Sequence, residues 1–366
     1  MQNAAYVLTD QFSELLKRFP AGLDLDRLAL ETGAIQRKRE VVDGARLLRI
    51  ALARGPGGLS LRQTSAWASM QGIAELSNPG VKYRLDQASE FLTALVEHLL
   101  AAKVPGADLR WPGRILRLAD GTCVSKPGSA GTDWRVHGVF DLGRGGFAHL
   151  ELTDAHGAEA LERGAPHAGE IRIGDRNYAR APALRRFRAE SGGKADFIAR
   201  LGWNALQLTN PAGRSFDLIG YLQCLPPDMG THEVNLRAAV GREEPALAVR
   251  LIAQRKTAEA AEATRMALRR VAARKGKALD PRSLIAAEFM ILATSLPKTG
   301  YSAKAVLAAY RLRWQIELAF KRLKSLLHID QLPTWTERGS RSWLYAHLIL
   351  ALLCDDVSQD FLESSP

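Results

Sequence analysis

Five polar side chains in one predicted helix share a single face, and their types suit phosphate chemistry. Tyr310, Arg313, Glu317, Lys321 and Lys324 fall within roughly 80° of one another at about 100° per residue. The neighbouring cations of this face would stabilise the negative charge of its lone carboxylate. Two roles fit this pattern: a surface ladder of i,i+4 salt bridges, or a metal ligand flanked by phosphate-binding cations. The pattern alone leaves both interpretations open.

Two aspartates lie where strands are predicted to end. Asp120 follows the apolar run 115–119, and Asp175 follows the predicted strand 170–173 with one glycine between. Side chains at such strand ends emerge into a crevice rather than into the core. Magnesium takes few protein oxygens, so these two carboxylates and Glu317 would suffice to hold two ions for an in-line phosphoryl displacement. Aspartates at strand ends are also common caps and turn formers, so a purely structural role stays open.

The elements that must position these residues begin after a helical region. Residues 1–100 place apolar side chains at helical spacing, interrupted by the glycine-rich turn 55–58. Residues 60–70 and a helix running from about Ser77 to Leu100 resemble a helix-turn-helix, which either contacts DNA or is an ordinary packing unit. We therefore predict a helical N-terminal region.

From residue 111 the pattern indicates a mixed α/β domain. Predicted strands cover residues 115–119, 135–142, 147–153, 170–173, 204–208, 216–222, 233–240, 246–253 and 289–294. Predicted helices cover residues 155–163, a segment from about 181, 258–275 and 302–327.

Composition and charge narrow the function classes. The 366 residues include 50 Lys and Arg against 39 Asp and Glu, a net charge of +11, with 46% hydrophobic residues. The 3 cysteines are far apart, which argues against a disulfide framework or a structural zinc site. No targeting or membrane segment is evident in the sequence, and we expect a cytoplasmic protein.

The positive charge is concentrated in one helical segment. Residues 255–282 carry nine Lys and Arg against three Asp and Glu, a local charge of +6. Arg269 and Arg270 lie in its predicted helix, and such a segment suits phosphate backbones. A solvated helix face is the alternative interpretation.

The motifs together resemble a known family. The spacing Tyr310-x2-Arg313-x3-Glu317-x6-Lys324 is similar to the Y-R-E-K signature of DDE transposases of the insertion-sequence IS-four family. Asp120-Gly121-Thr122 resembles the family's first aspartate motif, and the segment from Gly174 to Tyr178 resembles its second. The separation of 142 residues from Asp175 to Glu317 also resembles the family, in which a β-strand insertion interrupts a ribonuclease-H-like core.

The resemblance implies a fold and an activity. The fold would be α/β, with a ribonuclease-H-like mixed sheet, a β-strand insertion and an all-helical region before it. Asp120, Asp175 and Glu317 would bind Mg²⁺, with Mn²⁺ able to substitute. Tyr310, Arg313 and Lys324 would contact DNA, and we expect Lys321 on the same face to assist. The implied substrates are the inverted repeats at transposon ends and target DNA. The implied enzyme is bacterial and nucleoid-associated, acts as a homodimer and has no membrane partner.

Two departures from the family pattern leave alternatives open. Family members that form hairpins carry an aromatic residue before the signature helix, but here Met290 falls at that position with Phe289 beside it. We predict Phe289 as the base-stacking residue if the hairpin route operates. The chain also ends 42 residues after Lys324. A nuclease that cuts without joining, or an inert truncated DNA-binding copy, therefore remains an alternative to a cut-and-paste transposase.

The predicted division of the chain follows from these elements. We expect a helical DNA-binding region at 1–105, catalytic core at 110–205 and 286–340, a β-rich insertion with the basic helix at 206–285, and a C-terminal helix at 341–366.

Overall fold

The chain forms two compact units in a computed structural model that describes residues 12–103, 106, 111–129, 131–241, 244–329 and 332–364. One unit comprises Met1–Gly106, Gly121–Gly157 and Leu318–Pro366, and the other comprises Ala107–Asp120 and Ala158–Glu317. The predicted boundaries at 105 and 110 and the last two residues of the predicted helix 341–366 lie outside the described residues. The five predicted segments therefore stay a prediction.

The secondary structure alternates between helical and β-rich regions. The strands in chain order are β1 (Ile115–Val124), β2 (Trp134–Asp141), β3 (Gly146–Asp154), β4 (Glu170–Gly174), β5 (Asp196–Arg200), β6 (Leu208–Thr209), β7 (Thr231–Ala238), β8 (Leu247–Arg255) and β9 (Phe289–Thr294). The helices are α1 (Leu25–Glu31), α2 (Gly44–Arg54), α3 (Leu61–Met70), α4 (Asn78–Gln87), α5 (Ser89–Ala101), α6 (Ala181–Glu190), α7 (Leu218–Gln223), α8 (Ala258–Arg274), α9 (Pro281–Ala286), α10 (Ala303–Arg311), α11 (Trp314–Leu327) and α12 (Glu337–Ser364). Among the helices described, none is long and apolar enough to cross a membrane.

The first unit contains the predicted helical N-terminal region. Ser60 begins α3 with a capping box to Gln63, and Ser77 caps α4. The helix predicted from about 77 to 100 is instead two helices that break at Ala88. The carbonyl of Leu85 accepts hydrogen bonds from the Ser342 hydroxyl of α12 and from the Ala88 amide, so it is diverted from the regular ladder. The unit also contains the predicted hairpin, in which β2 pairs antiparallel with β3.

The second unit is built on a mixed sheet with strand order β1-β4-β5-β9-β8-β7-β6. The strands β1, β4 and β5 run parallel, whereas β9, β8, β7 and β6 pair antiparallel along the sheet. The strands inserted after β5 thus extend the sheet. Phe187 and Leu184 of α6 pack with Phe197 of β5 in a buried core on one face. This arrangement confirms the predicted α/β fold class, with a mixed sheet, inserted β-strands and a helical region before it in the chain.

Several element predictions were wrong in informative ways. Residues 216–222, predicted as a strand, contain α7, because the Asp217 carboxylate caps the amide of Ile219 and starts a helix. Residues 155–163, predicted as a helix, form turns and irregular structure. The sequence pattern also missed β5, the strand that joins the parallel and antiparallel parts of the sheet.

The long helix predicted over 302–327 is interrupted at Leu312 and Arg313. There the amides of Leu312 and Arg313 donate to the carbonyls three residues back, those of Ala309 and Tyr310, at 3.0 and 3.1 Å. Such three-residue bonds tighten the backbone and end α10 before α11 begins. The face predicted from one continuous helix is therefore built from two helices and the turn between them.

Candidate active site

Asp120 and Asp175 occupy matching positions on neighbouring parallel strands. The last pair between β1 and β4 joins Leu118 to Ile173, and each aspartate lies two residues beyond it. Residues two apart on a strand face the same side, so this register places the two carboxylates side by side. Asp175 directly follows β4, as predicted. Asp120 does not end its strand, because β1 continues to Val124 beyond its pairing with β4.

The turn after β4 orients Asp175. Its side chain caps the short turn Arg176–Tyr178, and its Oδ1 accepts the Asn177 amide at 2.8 Å. A Cβ on Gly174 would lie 2.6 Å from the Cβ of Tyr178, so only glycine permits this close approach. The Gly174-Asp175 motif therefore requires glycine at its first position for a steric reason. The cap itself engages Oδ1 of Asp175.

Arg313 contacts two of the three predicted acidic residues, Asp120 and Glu317. Its Nη1 is 3.7 Å from Oδ2 of Asp120, and its Nη2 is 2.5 Å from Oε1 of Glu317. Burial lowers the pKa of Arg313, but the hydrogen bond to Glu317 and the charges of Tyr310, Glu317 and Asp120 outweigh it and raise that pKa. The i,i+4 pair of the predicted salt-bridge ladder is thus present, and it includes Asp120 from another element.

Tyr310 joins the same group of side chains. It is buried, and burial raises the pKa of its hydroxyl, while the charges of Arg200 and Arg313 lower that pKa and the charge of Asp175 raises it. Tyr310 therefore lies within electrostatic range of Asp175. On α11 beyond Glu317, Lys321 is exposed and Lys324 is half-buried.

The acidic residues suit a divalent metal by their chemistry. Asp120, Asp175 and Glu317 offer only carboxylate oxygens, the ligands that Mg²⁺ and similar hard cations prefer. Within the described part of the chain, no group of three or more His, Cys, Asp and Glu side chains lies close enough to hold a metal ion. Arg313 engages Glu317, whose side chain is 53% exposed. The donor set fits a divalent cation, and Glu317 has room to change partners.

Sequence reasoning missed a group of cations beside these residues, Arg176, Arg200 and Lys256. Burial and then the charges of Arg200 and Arg176 lower the pKa of Lys256 from its usual 10.5 to about 8. Its Nζ donates to the carbonyl of Ala287 at 2.9 Å and to the hydroxyl of Thr264. In the described ranges, none of the three cations has a salt bridge. Because these three positive charges repel one another, a nearby negative charge would be favourable.

Of these three cations, only Arg176 belongs to one of the sequence motifs. Arg176 directly follows Asp175, and Lys256 was counted in the basic segment without a specific role. Arg200 ends β5, the strand that the sequence pattern did not reveal.

The basic helix α8 is partly neutralised. Arg269 pairs with Glu262 at 3.0 Å, and Arg265 pairs with Glu288 and Glu262. Arg270 and Arg274 are exposed, and within the described chain neither has a salt bridge. The open cations of this helix are therefore Arg270 and Arg274.

Phe289 lies in a less accessible place than a base-stacking role requires. It is 4% exposed, and the guanidinium of Arg255 lies 4.5 Å from its ring centroid. Trp314, next to Arg313, is 52% exposed. The role of Phe289 stays a prediction, and Trp314 is the aromatic side chain that is open beside Arg313.

Comparison with known proteins identifies the class. Residues 111–353 match the family described as "Transposase DDE domain". The transposase of insertion sequence element IS421 from Escherichia coli is 39% identical over 98% of this chain and 96% of that protein. The transposase of IS231D from Bacillus thuringiensis subsp. finitimus is 26% identical over 94% of this chain and 78% of that protein. The chain therefore belongs to the DDE transposase family, in the IS-four group.

A solved structure was also matched. A piggyBac transposase synaptic complex with hairpin DNA aligns at a TM-score of 0.44 and 9% identity, over 97% of this chain and 74% of that chain. So weak a likeness carries no argument. Family membership confirms the predicted function: the protein is a DNA transposase, an enzyme that acts on DNA and depends on a divalent metal.

Proposed function

We propose that Asp120, Asp175 and Glu317 bind Mg²⁺, for which Mn²⁺ can substitute, in a cut-and-paste transposase. The observation that carries this proposal is the matched register of Asp120 and Asp175, together with the contact of Arg313 with both Asp120 and Glu317. Bound divalent ions would activate the attacking oxygen and stabilise the leaving oxygen in phosphoryl transfer.

The cations around the carboxylates would hold the DNA end. Tyr310 and Arg313 lie beside Asp175 and Asp120, and Lys321 and Lys324 follow on α11. Phosphate contacts fix the position of a duplex without reading its sequence. We assign the same role to the cation group of Arg176, Arg200 and Lys256.

Other parts of the chain would grip DNA farther from the chemistry. The exposed cations of α8, with Arg269 and Arg270 among the predicted contacts, suit the phosphate backbone. The helical segment 1–105 would bind the inverted repeats at the transposon ends, since a helix pair such as α3 and α4 can contact DNA. Two ends must be cut for excision, so we propose a homodimer that supplies one active site for each end.

The test separates chemistry from binding. Asp120→Asn, Asp175→Asn and Glu317→Gln should each abolish end cleavage and strand transfer, while affinity for an end duplex stays within about threefold because phosphate contacts supply most of the binding. Cleavage with Mg²⁺ and with Mn²⁺ and joining to a target plasmid are followed on gels, and binding by fluorescence anisotropy. Glu244→Gln, which removes an exposed carboxylate paired with Arg185, is the matched control.

Each outcome has a clear meaning. Full cleavage by any one of the three variants would refute its role as a metal ligand. Cleavage by the unaltered protein without joining would favour a nuclease, and binding without cleavage would favour an inert DNA-binding copy.

A further inference from the structure

An irregular segment before β4 is held firmly by one buried arginine. Arg172 is 1% exposed, and its Nη1 lies 2.7, 2.7 and 2.9 Å from the carbonyl oxygens of Leu161, Arg163 and Gly164. Glu170 holds the other side of the guanidinium through Nε. Because a buried charge with satisfied partners is costly to displace, residues 161–164 have a defined position.

Glu159, two residues before that segment, brings a fourth carboxylate to the turn that carries Asp175. Oε2 of Glu159 accepts a hydrogen bond from Nδ2 of Asn177 at 2.7 Å, and the backbone amide of Asn177 donates to Oδ1 of Asp175 at 2.8 Å. The charges of Asp120, Glu159 and Asp175 all contribute to raising the pKa of Tyr178, after its burial. Glu159 therefore belongs to the surroundings of the aspartate pair, although no sequence motif includes it.

The turn needs such support because it is short. Arg176–Tyr178 is a single three-residue turn, closed by a bond of 3.2 Å from the Tyr178 amide to the Asp175 carbonyl. Short turns of this kind have poor hydrogen-bond geometry. With both its backbone amide and its side chain engaged, Asn177 links Asp175 to Glu159, which lies two residues before the segment that Arg172 holds.

We propose that Glu159 is a positioning residue for Asp175, acting through Asn177. Glu159 restrains the turn, and the turn orients the Asp175 carboxylate toward the metal. The proposal rests on the proposed function, in which Asp175 is a metal ligand.

The test measures metal binding directly, without turnover. Mn²⁺ binding to the full-length protein is followed by electron paramagnetic resonance of free Mn²⁺. Glu159→Ala should raise the dissociation constant about tenfold, the lower end of the effect of removing a partner of a metal ligand. Glu159→Gln should stay within about twofold, because its amide oxygen can still accept the bond from Asn177.

Two further variants make the result specific. Glu162→Ala removes a carboxylate three residues away that pairs with Arg186, and it should leave Mn²⁺ binding unchanged. Asn177→Ala should reproduce the loss of Glu159→Ala, and it decides the question if Glu159→Ala does not fold. At saturating metal, cleavage by Glu159→Ala should approach that of the unaltered protein.

The outcomes distinguish a failure of the positioning role of Glu159 from a failure of the metal-ligand role of Asp175. If Asp175→Asn abolishes Mn²⁺ binding while Glu159→Ala and Asn177→Ala bind normally, Glu159 has no positioning role. Equal losses of Mn²⁺ affinity in Glu159→Ala and Glu159→Gln would show that the charge of Glu159 matters rather than its hydrogen bond. That result would also overturn the positioning role. Normal binding by Asp175→Asn would refute the metal-ligand assignment itself, and this inference with it.

Discussion

The lowered pKa of Lys256 predicts that DNA binding weakens as the pH rises. Lys256 has a pKa of about 8, instead of the usual 10.5, because it is partly buried and faces the charges of Arg200 and Arg176. The two groups to which its Nζ donates, the hydroxyl of Thr264 and the carbonyl of Ala287, are uncharged. A phosphate placed among the three cations would favour the protonated amine and restore its pKa.

The size of the effect follows from these two pKa values. In the free protein about nine-tenths of Lys256 is protonated near pH 7, and only about a tenth near pH 9. If bound phosphate returns the pKa to its usual value, binding near pH 9 must first add a proton. The association constant should then fall about tenfold between these pH values.

The assay is fluorescence anisotropy of an end duplex, without metal, at fixed ionic strength. Lys256→Gln keeps an amide that can donate to Ala287 but cannot titrate, so its affinity should be lower near pH 7 and nearly independent of pH. Lys194→Gln, a change at an exposed lysine, should keep the profile of the unaltered protein. A flat profile in the unaltered protein, or an equal decline in Lys256→Gln, would refute a phosphate site at Lys256.

The same shift predicts a change in folding stability. Folding lowers the pKa of Lys256, so the unfolded chain binds more protons between about pH 8 and 10.5. The contribution of this group to the free energy of unfolding therefore rises as the pH increases through that window. Comparing denaturant midpoints of the unaltered protein and Lys256→Gln across the window checks the sign.

Three further predictions concern the other DNA contacts. Arg313→Gln should make the dependence of log K on log salt shallower by about one unit, measured on end duplexes, and an unchanged slope would leave Arg313 as a partner of carboxylates only. Arg270→Glu should reduce affinity for end and random duplexes alike and by more than Arg269→Glu, since Arg269 is already paired with Glu262. Phe289→Ala should lower stability by about 3–5 kcal/mol in denaturant titrations, because its ring is buried. Trp314→Ala should leave stability nearly unchanged and reduce any hairpin product, which a gel assay would show.

Much of the local structure could be predicted from residue patterns. The strand Phe289–Thr294 has the predicted bounds, because a short apolar run between a helix and a turn favours a buried strand. The basic helix Ala258–Arg274 begins at the predicted residue, because Thr257 caps its start, and it ends within one residue of the predicted end. The motif from Gly174 to Asp175 also led to the correct strand end, and the signature spacing led to the correct family.

The failures came where one local pattern suits two structures. The apolar residues of 216–222 fit a strand as well as a helix, and the cap by Asp217 decided for α7. The continuous pattern of 302–327 did not reveal the turn at Leu312 and Arg313, which depends on bonds between neighbouring backbone groups.

The composition of the site was decided by tertiary structure. From the sequence alone, Asp120, Asp175 and Glu317 could be grouped only by their resemblance to one family's motifs. The pairing of β1 with β4 determined that the first two lie side by side. Arg200 lies 24 residues after Arg176 and 56 before Lys256, and no spacing rule connects them. Their proximity comes from the pairing of strands that are far apart in the sequence. The three charges then affect one another because electrostatic forces act through space and not along the chain.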